Sequence, residues 1–251
     1  MPTRAILFDL FDTLIDLPLE HLPSIQINGR SYRSTYRRLH QAIVQRAPIG
    51  FEAFAQALAR VDRELRDARY AEGREVPTRE RFRELARSLG LEDPDLPDEL
   101  TRIHMDALRA TARLVPHHRQ VLADLRGRVR LALVSNFSHA ATARALLDQA
   151  RLAELLDPIV ISEEVGYRKP RPEIFRSALE RLALDPHEAL HVGDRLVADI
   201  DGAAALGIGG VWLTRRVADP GGSLARYSGA RPLHVIGDLR ELGAILDAEP
   251  T

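Results

Sequence analysis

Cysteine is absent from all 251 residues, which excludes disulfides, thiolate zinc sites and a cysteine nucleophile. A large charge of either sign is absent too, the formal balance being −1 at pH 7. Without a basic field, neither nucleic acid nor an anionic membrane is an expected partner. No apolar run approaches the ~18–20 residues needed to cross a bilayer. The opening Met-Pro-Thr-Arg leads straight into a strand-like segment, without the apolar stretch and small-residue cleavage site of a signal peptide. A soluble cytoplasmic protein, monomer or homodimer, is expected. Lysine is nearly absent: among 35 basic residues only Lys169 is not arginine. Arginine offers a broad planar fork, whereas lysine offers a compact ammonium that fits a crowded pocket beside carboxylates. One lysine must fall somewhere by chance, so its position matters only if other residues mark a site.

What is present is ordinary in bulk, with 45% hydrophobic and 28% charged residues, and informative in pattern. Short, nearly continuous apolar runs at 5–8, 129–134, 158–161, 189–192, 210–213 and 233–236 read as buried parallel strands. From residue 117 onward they alternate with amphipathic stretches at 117–126, 139–149, 172–183, 198–206 and 239–246. That rhythm predicts a doubly wound, Rossmann-like parallel α/β sheet, with ligands at the carboxyl ends of its strands. The stretch from 17 to 115 differs. Its helical patterns, such as 31–46, 51–70 and 78–89, contain no confident buried strand. It reads as an all-helical insertion, so the expected domains are 1–16 with 116–251, and 17–115. Its many Arg and Glu residues read as a solvated face with weak salt bridges. Residues 219–232, rich in Gly, Pro and Ser, read as a surface loop.

Four places carry candidate chemistry. A strand ends in Phe8-Asp9-Leu10-Phe11-Asp12-Thr13-Leu14, and another in Val134-Ser135-Asn136. Lys169 stands among prolines in Gly166-Tyr-Arg-Lys-Pro-Arg-Pro-Glu-Ile-Phe175. A further strand delivers His191-Val-Gly-Asp194, with Asp199 following. Each has a bland reading. Asp9 and Asp194 can be strand-end turn residues, Ser135 a helix N-cap and Asp199 a cap for the helix after it. Asp201 reads as surface, His117-His118 as exposed at a helix start, and His191 as a satisfied core residue.

At these residues the chain resembles the haloacid dehalogenase superfamily, most of whose members are magnesium-dependent phosphatases. Four signature motifs stand in order across 4–16 and 117–215, and the insertion matches the family's helical cap in position and type. The resemblance implies a small phosphorylated substrate and an aspartyl-phosphate on Asp9, since carboxylate nucleophiles split one hard displacement into two easier ones. It implies that Ser135, with Asn136 beside it, holds phosphoryl oxygens while Lys169 neutralises the charge shared by nucleophile and phosphate. Mg²⁺, a hard cation favouring oxygen ligands, would take Asp9, the main-chain carbonyl of Phe11, and Asp194. Asp199 would bind a metal-bound water or orient Lys169. Arg33, Arg37 and Arg38, early in the cap, are candidate substrate contacts.

One position departs from the pattern. The family's phosphatases carry an acid–base aspartate two residues after the nucleophile; here that residue is Phe11, and Asp12 stands one residue late. Along an extended strand such a shift turns the side chain to the opposite face. The group so lost is typically worth about 10²–10⁴ in rate. Three outcomes stay open: a slow phosphatase, or one restricted to acyl or aryl phosphates; a metal-free 2-haloacid dehalogenase using Asp9; or a weakly catalytic binder of phosphorylated ligands. Phe11 and Ser135-Asn136 lean toward the dehalogenases. Phe175 where they carry tyrosine, and Gly193-Asp194 where they carry Ser-Asn, lean away. An acidic cluster with no cation to bind would be a costly gathering of like charges.

Overall fold

In the computed structural model, which describes residues 2–27 and 29–249, all four residues of Ala5–Phe8 are fully buried. A parallel strand covered on both faces requires this. Ala5–Phe8 (β1) lies inside a six-stranded sheet with Arg130–Ser135 (β2), Ile159–Ile161 (β3), Ala189–Gly193 (β4), Gly209–Leu213 (β5) and His234–Ile236 (β6), in the order β6-β5-β4-β1-β2-β3. Every pairing is parallel. Phe8 stands level with Leu133 on one side and Val192 on the other, so β1, β2 and β4 end together. The chain order reverses at β1, and in open sheets of this kind the crevice beyond such a reversal takes the ligand.

The helices are built on the same logic. Pro172–Leu182 carries proline in its first turn, where no N–H is missed, and buries Ile174, Phe175, Ala178, Leu179 and Leu182. That stripe packs on Ala5, Leu7, Ala132 and Val134 of the sheet. The chain divides into two compact units, Met1–Asp16 with Leu114–Thr251, and Leu17–Arg113. In the second, helices Tyr36–Val44, Phe51–Ala68, Thr78–Ser88 and Leu96–Thr111 bury Leu39, Phe54, Leu58, Phe82 and Leu100 in one cluster.

Several expectations are corrected. The helical reading of 31–46 fails at its start. Arg30–Arg33 pairs antiparallel with Ser24–Ile27, and the helix begins only at Tyr36. Gly29 at φ 72° supplies the left-handed turn; the alternation Ser24-Ile-Gln-Ile27 followed by Asn28-Gly29 is a hairpin signal that the helical reading passed over. Leu96–Thr111 is a fourth helix beyond the three patterns singled out, opened by a proline at its start. Pro220–Arg226 is helical within the expected loop because the Asp219 side chain accepts from the Gly222 N–H. The stretch 198–206 is not one regular helix but a π-turn, Leu196–Asp201, followed by a short α-turn, Gly202–Ala204. His118 is buried rather than exposed, with Nδ1 2.9 Å from the Leu14 carbonyl.

Candidate active site

Asp9 is the first residue past β1, and its N–H donates to the Val192 carbonyl at 2.9 Å, tying the turn to β4. Its carboxylate meets Lys169: Nζ lies 2.6 Å from Asp9 Oδ1 and 2.7 Å from Asp199 Oδ1. Lys169 is only 4% exposed, a position for a slender cation and not for a guanidinium. Asn136, a candidate substrate contact, has its side chain bound to the lysine's backbone. Its Nδ2 donates to the Lys169 carbonyl at 2.9 Å and its Oδ1 accepts the Lys169 N–H at 2.7 Å. The amide clamps the main chain from which the ammonium projects.

Asp194 follows β4 directly, and the Trp212 indole N–H donates to its carbonyl at 2.8 Å. Asp199 is fully buried and accepts on both oxygens, from Lys169 and His191 on Oδ1 and from the Arg195 N–H on Oδ2 at 2.9 Å. Gly193 makes this approach possible: a Cβ there would stand 2.2 Å from Asp199 Cγ. One ligand oxygen from each of Asp9, Asp194 and Asp199 lies within 4.8 Å of the others.

The electrostatics follow from that crowding. Burial works to raise Asp199, but the ammonium and the histidine N–H outweigh it and hold the carboxyl well below its usual range. Burial raises Asp9 despite the attraction of Lys169. Asp194, lacking a lysine, is pushed up to about 7 by burial and then by Asp9 and Asp199. Burial works to lower Lys169, and its two carboxylates more than reverse that. Lys169 pairs with two of the three clustered carboxylates, which leaves an excess of negative charge that a divalent cation relieves. The donors are all oxygen, as Mg²⁺ prefers, so the residues fit the ion. Because Asp199 already accepts three hydrogen bonds, the oxygens open to a cation are those of Asp9 and Asp194.

Ser135 closes β2 with a buried hydroxyl that has no partner among the described residues. It caps no helix, since the next one begins at Ala140. The hydroxyl of Thr13 is buried and unpartnered in the same way. Buried hydroxyls are normally satisfied, so these two, one closing β2 and one four residues past Asp9, are donors available to a ligand oxygen. His191, read as a satisfied core residue, touches Asp199 at 3.0 Å. No local signal marks it, since a histidine inside a strand looks like any other buried one.

Phe11 packs against Phe137 with ring centroids 4.7 Å apart. Asp12 adopts φ 60°, which bends the chain out of the strand, and its Oδ1 lies 2.9 Å from Arg216 Nε. Asp201 is half-buried, accepting the Ala230 N–H at 2.7 Å. In the other unit, Arg33, Arg37 and Arg38 are exposed. Arg33 donates to the Leu22 carbonyl at 3.2 Å, and the Arg37 guanidinium lies 5.2 Å from the Phe51 ring centroid. No helix among the described residues is long and apolar enough to cross a membrane.

The model of haloacid dehalogenase-like hydrolases matches residues 3–207. A phosphoserine phosphatase of Thermus thermophilus is 32% identical over 255 aligned residues, spanning 95% of this chain and 97% of that protein. Among solved structures, a HAD phosphatase from Thermococcus onnurineus is 25% identical with a TM-score of 0.66, covering 99% of this chain and all of that one. A 2-haloacid dehalogenase from Pseudomonas syringae pv. Tomato is 22% identical with a TM-score of 0.69 over 98% of both chains. That last likeness speaks to the fold alone.

Proposed function

This chain belongs to the haloacid dehalogenase-like hydrolases, and on that premise we propose that it is a Mg²⁺-dependent phosphatase of a small phosphorylated metabolite, working through an aspartyl-phosphate on Asp9. The observation that carries this reading is the site's charge balance: Asp9, Asp194 and Asp199 lie within reach of one another, and Lys169 bridges only Asp9 and Asp199. Asp9 and Asp194, with the main-chain carbonyl of Phe11, would hold the metal, whose bound charge would offset that of the phosphoryl group.

The residues themselves divide the remaining work. An Asp9 oxygen forms a bond to phosphorus as the bond to the leaving oxygen breaks, and the electron pair departs with that oxygen. Lys169, held by Asp199 and by the Asn136 clamp, sits against the negative charge that grows between nucleophile and phosphate. The orphan hydroxyls of Ser135 and Thr13 donate to phosphoryl oxygens. Water then attacks the phosphorus of the aspartyl-phosphate. Inorganic phosphate leaves with the water's oxygen, the proton goes to phosphate, and the Asp9 carboxylate is restored.

The leaving group follows from Phe11 and Asp12. A phenyl ring donates no proton, and Asp12 is engaged with Arg216. Leaving oxygens that depart without a proton, those of aryl or acyl phosphates, are therefore favoured over simple alkoxides. The test is phosphate release from 4-nitrophenyl phosphate with and without Mg²⁺. Turnover that needs the metal, and that falls at least about 10³-fold in Asp9→Asn, supports the reading. Halide release from a 2-haloacid without added metal, with no phosphate release, overturns it in favour of the dehalogenase chemistry toward which Phe11 leans.

A further inference from the structure

His191 occupies the middle of β4, level with Leu7 of β1 and Gly210 of β5, and is 0% exposed. An imidazole there is expensive, because a buried polar ring must find partners or lose solvation. It has one partner. Nε2 lies 3.0 Å from Asp199 Oδ1, while Nδ1 has none among the described residues. A carboxylate oxygen only accepts, so Nε2 carries the proton and the neutral ring takes the Nε2–H tautomer.

The surroundings fix that ring. Phe175 meets it edge-on, with centroids 5.0 Å apart and planes at 87°. Gly202 leaves room for Phe175, since a Cβ at 202 would stand 2.7 Å from Phe175 Cε2. Asp199 is in turn held at both ends, by His191 on Oδ1 and by the Arg195 N–H on Oδ2. The same Oδ1 receives Lys169 Nζ at 2.7 Å, and that ammonium reaches Asp9 at 2.6 Å. Without the imidazole, Oδ1 loses one of its two donors. The carboxylate then regains rotational freedom, and the ammonium on its flexible stem is free to follow it.

We infer that His191 is a positioning residue: by fixing the Asp199 carboxylate it holds the Lys169 ammonium against the nucleophile Asp9. It touches neither substrate nor metal and acts only through Asp199. The inference rests on the phosphatase reading for its kinetic consequence and on the hydrogen-bond chain alone for its structural one.

Two experiments separate these. In 4-nitrophenyl phosphate hydrolysis with Mg²⁺, His191→Leu should lower kcat roughly 10–100-fold, the usual cost of losing a group that orients a functional side chain, with KM changed less than about 2-fold. His191→Gln, which can still donate to Asp199, should recover most of that loss. In an Asp199→Asn background, His191→Leu should cost less than about 2-fold more, because the route through Asp199 is already broken. Full activity in folded His191→Leu, equal losses in Leu and Gln, or additive losses in the double variant would each overturn the inference. Nitrogen NMR of labelled histidine, assigned by the signal missing in His191→Gln, should show the Nε2–H tautomer, with the signal displaced in Asp199→Asn. An Nδ1–H tautomer overturns the proposal even if the wild type hydrolyses no phosphate, an outcome that would separately end the phosphatase reading.

Discussion

Two groups of charges in this protein, one in each unit, are built in opposite ways. In the helical unit, Arg81 and Arg46 are matched by acids. Arg81 makes two bonds to Asp62 at 2.6 and 2.7 Å, and Arg46 bridges Asp93 and Glu99 at 2.5 and 2.6 Å. In the α/β unit, the buried group at the strand ends has three carboxylates and one ammonium. Matched pairs hold helices together and leave little to react. An unmatched group keeps Asp194 near pH 7 instead of near its ordinary value of about 4, and so stores an affinity for a cation. The contrast separates charge used for packing from charge kept available for chemistry.

The largest effect expected from breaking this contrast comes at Lys169. Lys169→Arg keeps the charge but puts a broad guanidinium into a position 4% exposed, and should lower kcat about 10²–10³-fold. Near-normal turnover would mean that charge alone, without placement, suffices there. Next is Phe11→Asp, which supplies an acid two residues past the nucleophile. Hydrolysis of alkyl phosphates should rise about 10–100-fold, while aryl phosphates gain little. Equal gains, or none, would show that proton delivery is not what limits the alkyl substrates.

A smaller effect concerns stability and pH. The folded Asp194 carboxyl lies above its unfolded value, so the native state binds the extra proton, and metal-free stability falls as pH rises from about 4 to about 7. Asp194→Asn removes that penalty and should raise the metal-free Tm at pH 8 by about 2–4 °C. Mg²⁺ should raise the wild-type Tm at pH 8, less so at pH 5 where Asp194 is protonated, and should leave Asp194→Asn unmoved. A lower metal-free Tm for the variant would contradict the like-charge account. The smallest effect belongs to the helical unit. Arg81→Ala should cost about 1 kcal/mol in thermal unfolding, as a partly exposed bidentate pair allows, with kcat unchanged. A loss of turnover there would show that the units do not divide their charges as cleanly as their pairing suggests.

The sheet was legible because a strand buried on both faces must be apolar throughout, as Ala5–Phe8 is. Asp9, Ser135 and Asp194 were legible because a polar residue directly after such a run sits at the sheet's carboxyl edge. The hairpin at Ser24–Ile27 and Arg30–Arg33 was not read from the sequence, although Ile25 and Ile27 alternate with polar residues and Asn28-Gly29 follows, the signal of a two-residue hairpin turn. Nor was the helix Pro220–Arg226, whose composition reads as loop until the Asp219 cap is seen. For Asn136, sequence order sets it after Ser135 but does not reveal that its side chain also pairs with Lys169's peptide groups.

The order of residues by itself determined which chemistry was possible. No cysteine, one lysine, acids after apolar strands and Phe11 in place of an acid are facts of covalent sequence, readable because strand burial leaves a local pattern. Only the tertiary structure decided how those groups share their charge. That Asp199 answers to Lys169 and His191 while Asp194 makes no ion pair with Lys169 depends on angles and distances between segments far apart in the chain. Hydrogen bonds and Coulomb forces act through space, and the periodicity of a single element carries no record of them.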